Sequence, residues 1–214
     1  MIIARIIAVV IGYVIGMFQT GYFYGKKNGI DIREHGSGNA GTTNTMRTLG
    51  KKAGIITFLG DCFKAVLAVV LVWLLFHGKY PEQIRIIELY AGFGAVLGHN
   101  FPAYLKFQGG KGIACTAGVI IAVCLMAGPL CLVLFAGAVL ITKYVSVGSI
   151  LVVCAFLVQT LIFNAFGWLG LSGAGAIEFN IVTACFTLMA IWRHRANIVR
   201  LMNGTENKNG QKAK

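Results

Sequence analysis

Hydrophobic and polar residues alternate along this chain in long blocks rather than turn by turn. Ile6–Tyr24 carries no charged side chain, and neither does the stretch from Gly112 to Thr142. A bilayer crossing needs about 20 apolar residues, within a range of roughly 17–25. The pattern therefore predicts helices over Ile6–Tyr24, Ala53–His77, Ile86–Leu105, Val145–Phe166 and Ile177–Trp192. The 112–142 stretch is too long for one ordinary crossing. Gly128-Pro129 at its middle favours a turn, so it reads as two shorter helices. Gly21-Tyr22-Phe23-Tyr24 looks like an aromatic interfacial end rather than a cleavage site, so the first helix is expected to be retained. A Gly-rich loop fills Gly167–Ala176.

The basic residues decide between six helices and seven. With seven, and the N-terminus outside, the inner segments hold Lys26, Lys27, Arg33, Arg47, Lys51, Lys52, Lys106, Lys111, Lys143, Arg193, Arg195, Arg200, Lys208, Lys212 and Lys214. The outer segments keep only Arg5, Lys79 and Arg85, and Lys64 falls within a crossing. Cytoplasmic loops carry the Lys/Arg excess, whereas six helices would put Lys143 and the basic tail outside. The expected fold is all-α: a polytopic integral membrane protein of seven transmembrane helices, N-terminus outside and C-terminus cytoplasmic. It is one membrane domain over 1–202, with a polar, solvated cytoplasmic tail over 203–214.

Composition agrees. The chain is 57% hydrophobic and only 12% charged, about half the charged share of a soluble domain. A soluble enzyme, a disordered tail and a collagen-like chain are excluded. The net charge of +12 fits positive loops and anionic head groups and leaves room for an anionic substrate; in a membrane protein it does not indicate nucleic acid. All six cysteines lie in apolar stretches with no CxxC pair, so zinc, redox and disulfide readings are poor and buried apolar packing is the default.

Four polar islands fall on the inner side. Glu34-His35-Gly36-Ser37-Gly38-Asn39-Ala40-Gly41-Thr42-Thr43-Asn44, with Arg47 beyond, offers backbone amides, hydroxyls and a guanidinium fork suited to phosphate; a capped polar loop is the plainer alternative. Gly98-His99-Asn100-Phe101-Pro102 leads to Lys106-Phe107-Gln108-Gly109-Gly110-Lys111-Gly112, a phosphate cradle or a tight interhelical turn. It is not a Walker A loop: Leu105 stands where that pattern needs glycine, and Gly112 where it needs Ser or Thr. Lys143 to Ser149 and Arg193 to Arg200 read either as helix boundaries and positive anchors or as further site segments. His194 and Asn197, three apart, share a helical face. Asp61 and Lys64, also three apart and within a crossing, are expected to pair.

These motifs resemble those of the bacterial acyl-phosphate:glycerol-3-phosphate acyltransferases, the PlsY family. The match runs through Gly36–Asn44 with Arg47, Asp61-Cys62-Phe63-Lys64, Gly98–Pro102, Gly109–Ala114, Lys143–Ser149 and His194–Leu201, nearly the whole chain. Lys143 replaces the family's usual Arg, Gly148 stands where Ala is common, and Cys115 where Thr is expected. The resemblance implies seven membrane helices in the bacterial inner membrane and a cytoplasmic-side site. It implies acyl transfer from acyl phosphate to glycerol 3-phosphate, with membrane lipids as surroundings and no metal, cofactor or coenzyme A thioester. As expected catalytic residues it marks Ser37, Arg47, Lys111 and Asn197. As substrate-binding residues it marks Asn39, Thr43, Asn44, Asp61, Lys64, His99, Lys106, Gly109, Gly110, Gly112, Ser146, Ser149 and His194, with the three glycines bringing N–H groups to the acyl phosphate.

The residues fit this reading independently. The His-x4-Asp pair of acyl-CoA-type acyltransferases is absent: His35, His77, His99 and His194 are followed at that distance by Ala40, Glu82, Tyr104 and Val199. Positioning and charge stabilisation are therefore expected to dominate. A small-anion transporter or channel is the rival class, disfavoured because the polar residues cluster at one face.

Overall fold

The structure, a computed structural model, describes residues 1–210, so Lys212 and Lys214 lie outside the described residues. Among the described residues ten α-helices follow one another: α1 Ile2–Gly16, α2 Thr20–Lys27, α3 Thr42–Leu49, α4 Lys51–Phe76, α5 Ile84–Asn100, α6 Ile113–Val123, α7 Gly128–Thr142, α8 Val145–Ala165, α9 Gly173–Arg193 and α10 Arg195–Met202. Among the described residues there is no strand. Five segments are long and apolar enough to cross a membrane: 2–27, Lys51–Phe76, 125–142, Val145–Ala165 and Gly173–Arg193. Their outward faces carry large apolar residues such as Ile3, Leu74, Leu132, Val133, Ile141 and Leu188, each more than half exposed. A surface of that extent is stable against lipid and not against water.

The helices pack through small residues. Ala4, Ala8, Gly12 and Gly16 recur every fourth position and form the buried face of α1. That face lies on α5 so closely that a Cβ at Gly12 would stand 2.0 Å from the Ala91 carbonyl oxygen, and one at Gly98 2.1 Å from that of Tyr13. Without a hydrophobic force between helices in lipid, such backbone approach supplies the packing. Near the far end of the bundle Arg5 pairs with Glu178, tying α1 to α9.

Two departures from the expected elements matter. The first helix breaks at Met17–Gln19 rather than running to Tyr24; Lys64 donates to the freed Phe18 carbonyl. The 112–142 stretch does divide, with Pro129 in the first turn of α7, where its missing N–H costs nothing. The shorter half, α6, packs on α4 and buries Cys115, Thr116, Val119 and Ile120.

Candidate active site

The polar islands meet at one end of the bundle. In the first loop Asn44, 2% exposed, acts as a staple: its Oδ1 accepts from Ser37 N at 2.8 Å and its Nδ2 donates to Ile32 O and His35 O at 3.0 and 2.9 Å. Asn39 Oδ1 accepts from Gly41 N at 2.9 Å, turning the chain into α3. Gly36 and Gly38 take φ of 60° and 69°, a region that L side chains enter only at a cost. Ser37 is thus held at the cavity rim, with Thr43 beside it and Arg47 one helical turn further along.

The second loop departs from expectation. Gly110 N donates to His99 O at 3.0 Å and Gly109 N to Asn100 O at 3.2 Å. Arg193 donates to both glycine carbonyls, at 2.9 Å to Gly109 O and from Nε at 3.1 Å to Gly110 O. Gly109 and Gly110 therefore have no free N–H for a phosphate, because both are spent folding the loop back on the end of α5. Gly112, Ile113 and Ala114, at the start of α6, line the cavity instead, and the first N–H groups of a helix have no helical acceptor. Lys111 projects between these two parts of the loop. Lys106 is exposed, takes φ of 54° and lines neither cavity described below.

Beneath the loop lies the expected Asp61–Lys64 pair, Nζ to Oδ1 at 3.0 Å. Thr20 donates to the same oxygen at 3.1 Å, and Lys64 Nζ is 2.9 Å from His99 Nδ1. Three helices and the α1–α2 break are thereby joined below the Gly-rich segment. Asp61 and His99 line the cavity; Lys64 braces it from behind.

Of the described tail residues, 203–210, all are exposed but one. Glu206 is buried at 8% exposure. Its Oε1 accepts from Asn197 Nδ2 at 2.7 Å and Ser146 Oγ at 3.2 Å, and its Oε2 from Arg200 Nε at 2.7 Å. Asn197 is thus oriented with Oδ1 towards Lys111, which donates to it. Arg47 Nη2 donates to Asn207 O at 3.1 Å, and Asn209 N to Lys143 O at 2.6 Å. Sequence reading missed Glu206; the signal was one acidic residue among the basic side chains of the C-terminal segment. Arg193, read as an anchor, is the clamp on Gly109 and Gly110. Ser149 returns its hydroxyl to Val145 O at 2.8 Å while still lining the cavity.

Charge follows from this packing. Burial pushes Lys111 down to about 8, opposed by Glu206 and reinforced by Arg200, Arg193 and Arg47. His194, 2.7 Å from Ala190 O through Nδ1, is pushed down to about 4 by burial and by Lys111. It is neutral at pH 7, with Nδ1 protonated towards the carbonyl and Nε2 left as an acceptor. Lys111 carries its charge only below about 8, so an anion held by it binds more weakly as pH passes that value. Glu206→Gln removes the charge that holds that pKa up, so the alkaline limb moves to lower pH. The pH dependence of inorganic phosphate binding to both proteins reads this; an unmoved limb separates Glu206 from Lys111.

Two cavities share this centre. One, about 130 Å³, is lined by the polar residues above and by Phe58, Ile113, Ala114, Phe135 and Val145. The other, about 310 Å³, is lined by Ser37, Gly38, Gln108, Gly109, Arg193 and Arg200 among others. Ser37, Asn39, Lys111 and Asn197 belong to both. Among the described residues no three His, Cys, Asp or Glu side chains gather as a metal site.

Fold and site together define an integral membrane protein with a largely cationic polar centre at one end of its helices. Residues 6–204 match the glycerol-3-phosphate acyltransferase family model. The chain is 42% identical over 218 residues to a glycerol-3-phosphate acyltransferase of Clostridioides difficile, covering 99% of this chain and 98% of that protein. It is 39% identical to one of Halalkalibacterium halodurans, over 94% and 93% of the two. A crystal structure of PlsY, an integral membrane glycerol 3-phosphate acyltransferase in its glycerol 3-phosphate form, superposes with a TM-score of 0.82 at 29% identity, over 96% of each chain. The lysophosphatidic acid form of PlsY gives 0.77 at 28% identity, over 95% of this chain and 94% of that one. This chain belongs to the glycerol-3-phosphate acyltransferase family.

Proposed function

We propose that this chain moves a fatty acyl group from acyl phosphate to the sn-1 hydroxyl of glycerol 3-phosphate, giving lysophosphatidate and inorganic phosphate in phospholipid biosynthesis. The observation that carries it is the junction of two cavities at Ser37, Asn39, Lys111 and Asn197. The more polar cavity suits a small water-soluble phosphate. The other is lined in part by apolar helix faces, which suits a donor whose tail stays in lipid. Solved relatives described in glycerol 3-phosphate and lysophosphatidic acid forms support the acceptor and the product.

In this reading Lys111, Ser37, Ser146 and the start of α6 hold the donor phosphate. Arg200, Arg193 and Asn197 face the acceptor, with Arg47 closing the site beside Asn207. His194 Nε2 accepts a hydrogen bond from a glycerol hydroxyl and, being a weak base, orients it without removing its proton. The C1 oxygen attacks the acyl carbonyl carbon and the bond from that carbon to the bridging phosphate oxygen breaks. A donor phosphate oxygen takes the hydroxyl proton, so inorganic phosphate leaves carrying it. The side chains fix orientation and spread the negative charge of the transition state.

The site opens to the cytoplasm of a bacterial plasma membrane, with α5 and α6 completing seven crossings and the N-terminus outside. The Lys/Arg excess at the site end supports that orientation. In intact cells a cysteine at position 79 is then labelled by an impermeant reagent and one at position 27 is not, once the native cysteines are removed; the reverse inverts the topology. The donor is tested with purified protein in detergent. Palmitoyl phosphate supports turnover and palmitoyl-CoA as sole donor does not, whereas equal rates with both exclude the acyl-phosphate assignment.

A further inference from the structure

The apolar side of the cavity shared by α4 and α7 shows a construction that the phosphate chemistry does not require. Phe58 on α4 and Phe135 on α7 both line it. Each stands seven residues from the helix end nearest the site, Lys51 and Thr142 respectively, which is about 10 Å at 1.5 Å per residue. They therefore face the cavity at one depth. Phe58 is 40% exposed and lies between Ile55 and Leu59, which are 57% and 58% exposed, so this side reaches the lipid-facing surface. Helix α7 packs chiefly on α8 and hardly meets α6, leaving the mouth unsealed on that side.

Phe135 sits where it does because of Gly148. A Cβ at Gly148 would stand 3.1 Å from Phe135 Cδ2, 3.1 Å from Phe135 O and 3.0 Å from Val139 Cγ2. The missing methyl lets α7 and the Phe135 ring lie close against α8. Ser146 on α8 lines the same cavity as Phe135, so the ring shares that space with a phosphate-holding hydroxyl. A chain anchored by its phosphate at Lys111 and Ser146 passes Phe135 within its first few carbons, before it reaches lipid.

On the acyl-phosphate reading above, we propose that Phe135 is a specificity-determining residue that selects the donor by the width of its acyl chain next to the carbonyl. Straight chains slide past the ring; a methyl branch beside the carbonyl meets it. Length is left unselected, because the chain beyond Phe135 lies in the bilayer. Apolar pockets discriminate a single methyl or methylene by roughly 10–200-fold.

The test compares palmitoyl phosphate with 2-methylpalmitoyl phosphate, as kcat/KM, in wild type, Phe135→Ala and Phe135→Trp. The wild type favours the straight donor. Phe135→Ala raises the branched-to-straight ratio by about tenfold, at the lower end of that range, and Phe135→Trp lowers it. The KM for glycerol 3-phosphate stays at its wild-type value in both, which a general loosening of the bundle would not leave untouched. If Trp at this position prevents folding, the Ala variant alone decides. An unchanged ratio in Phe135→Ala, with normal glycerol 3-phosphate KM, overturns the proposal while the donor assignment stands. Wild-type protein that turns over no acyl phosphate overturns both.

Discussion

Gly110→Ala lowers kcat/KM for glycerol 3-phosphate by at least about tenfold, equivalent to 1.4 kcal/mol, in a protein that still folds. The added Cβ would stand 1.9 Å from His99 Nε2 and 2.7 Å from its Cε1. The ring has nowhere to go: it is 2% exposed and its Nδ1 lies 2.9 Å from Lys64 Nζ. The loop must move instead, which breaks its bond to His99 O and the Arg193 clamp and carries Lys111 away from Asn197. Overpacking of this kind typically costs about 1–3 kcal/mol, within reach of a bundle that keeps its other contacts. Thermal melting and a monodisperse profile in detergent establish folding, and the assay then reads the displacement. Gly78→Ala is the control, since a Cβ there meets nothing within 4 Å. Full activity in Gly110→Ala would show that the loop's position is irrelevant to transfer.

Lys111→Ala removes the cation at the junction of the two cavities while leaving every glycine in place. A hydrogen bond to a charged group contributes about 1.5–3 kcal/mol, so transfer falls at least about tenfold at subsaturating levels of both substrates. Lys111→Arg does not restore it fully. The wide planar fork needs space that Asn197, Gly112 and His194 already occupy around a point charge. Lys27→Ala, exposed and outside both cavities, changes nothing. Wild-type transfer by well-folded Lys111→Ala would move the phosphate contact to Arg47 and the first loop.

The sequence made the membrane blocks legible because burial in lipid needs long apolar runs, and those survive any detail of packing. The division at Gly128-Pro129 was readable for the same reason: proline without its N–H belongs in a first helical turn. The break at Met17–Gln19 was not, since its stabilising partner, Lys64, is 46 residues away in sequence from Phe18. Motif residues such as Ser37, Lys111, Ser146, His194 and Asn197 do converge on one cavity. What each does there is a matter of partners the sequence cannot display. Asn44 is a staple for its own loop, Gly109 and Gly110 have their amides engaged, and Lys106 turns outward. Glu206 was hidden by a segment whose composition reads as solvated, because a single buried carboxylate leaves no periodic trace. It became visible only when α10 brought Arg200 and Asn197 to it.

The central claim is that one centre brings the two phosphate-bearing substrates together for direct attack on the acyl carbonyl. The most direct measurement uses purified protein, glycerol 3-phosphate and palmitoyl phosphate labelled with oxygen-18 at the bridging oxygen, with both products weighed by mass spectrometry. The account predicts one lysophosphatidate for each inorganic phosphate released, the heavy oxygen entirely in the phosphate and none in the ester. Heavy oxygen in the lysophosphatidate, or phosphate released without acylated product, would contradict it.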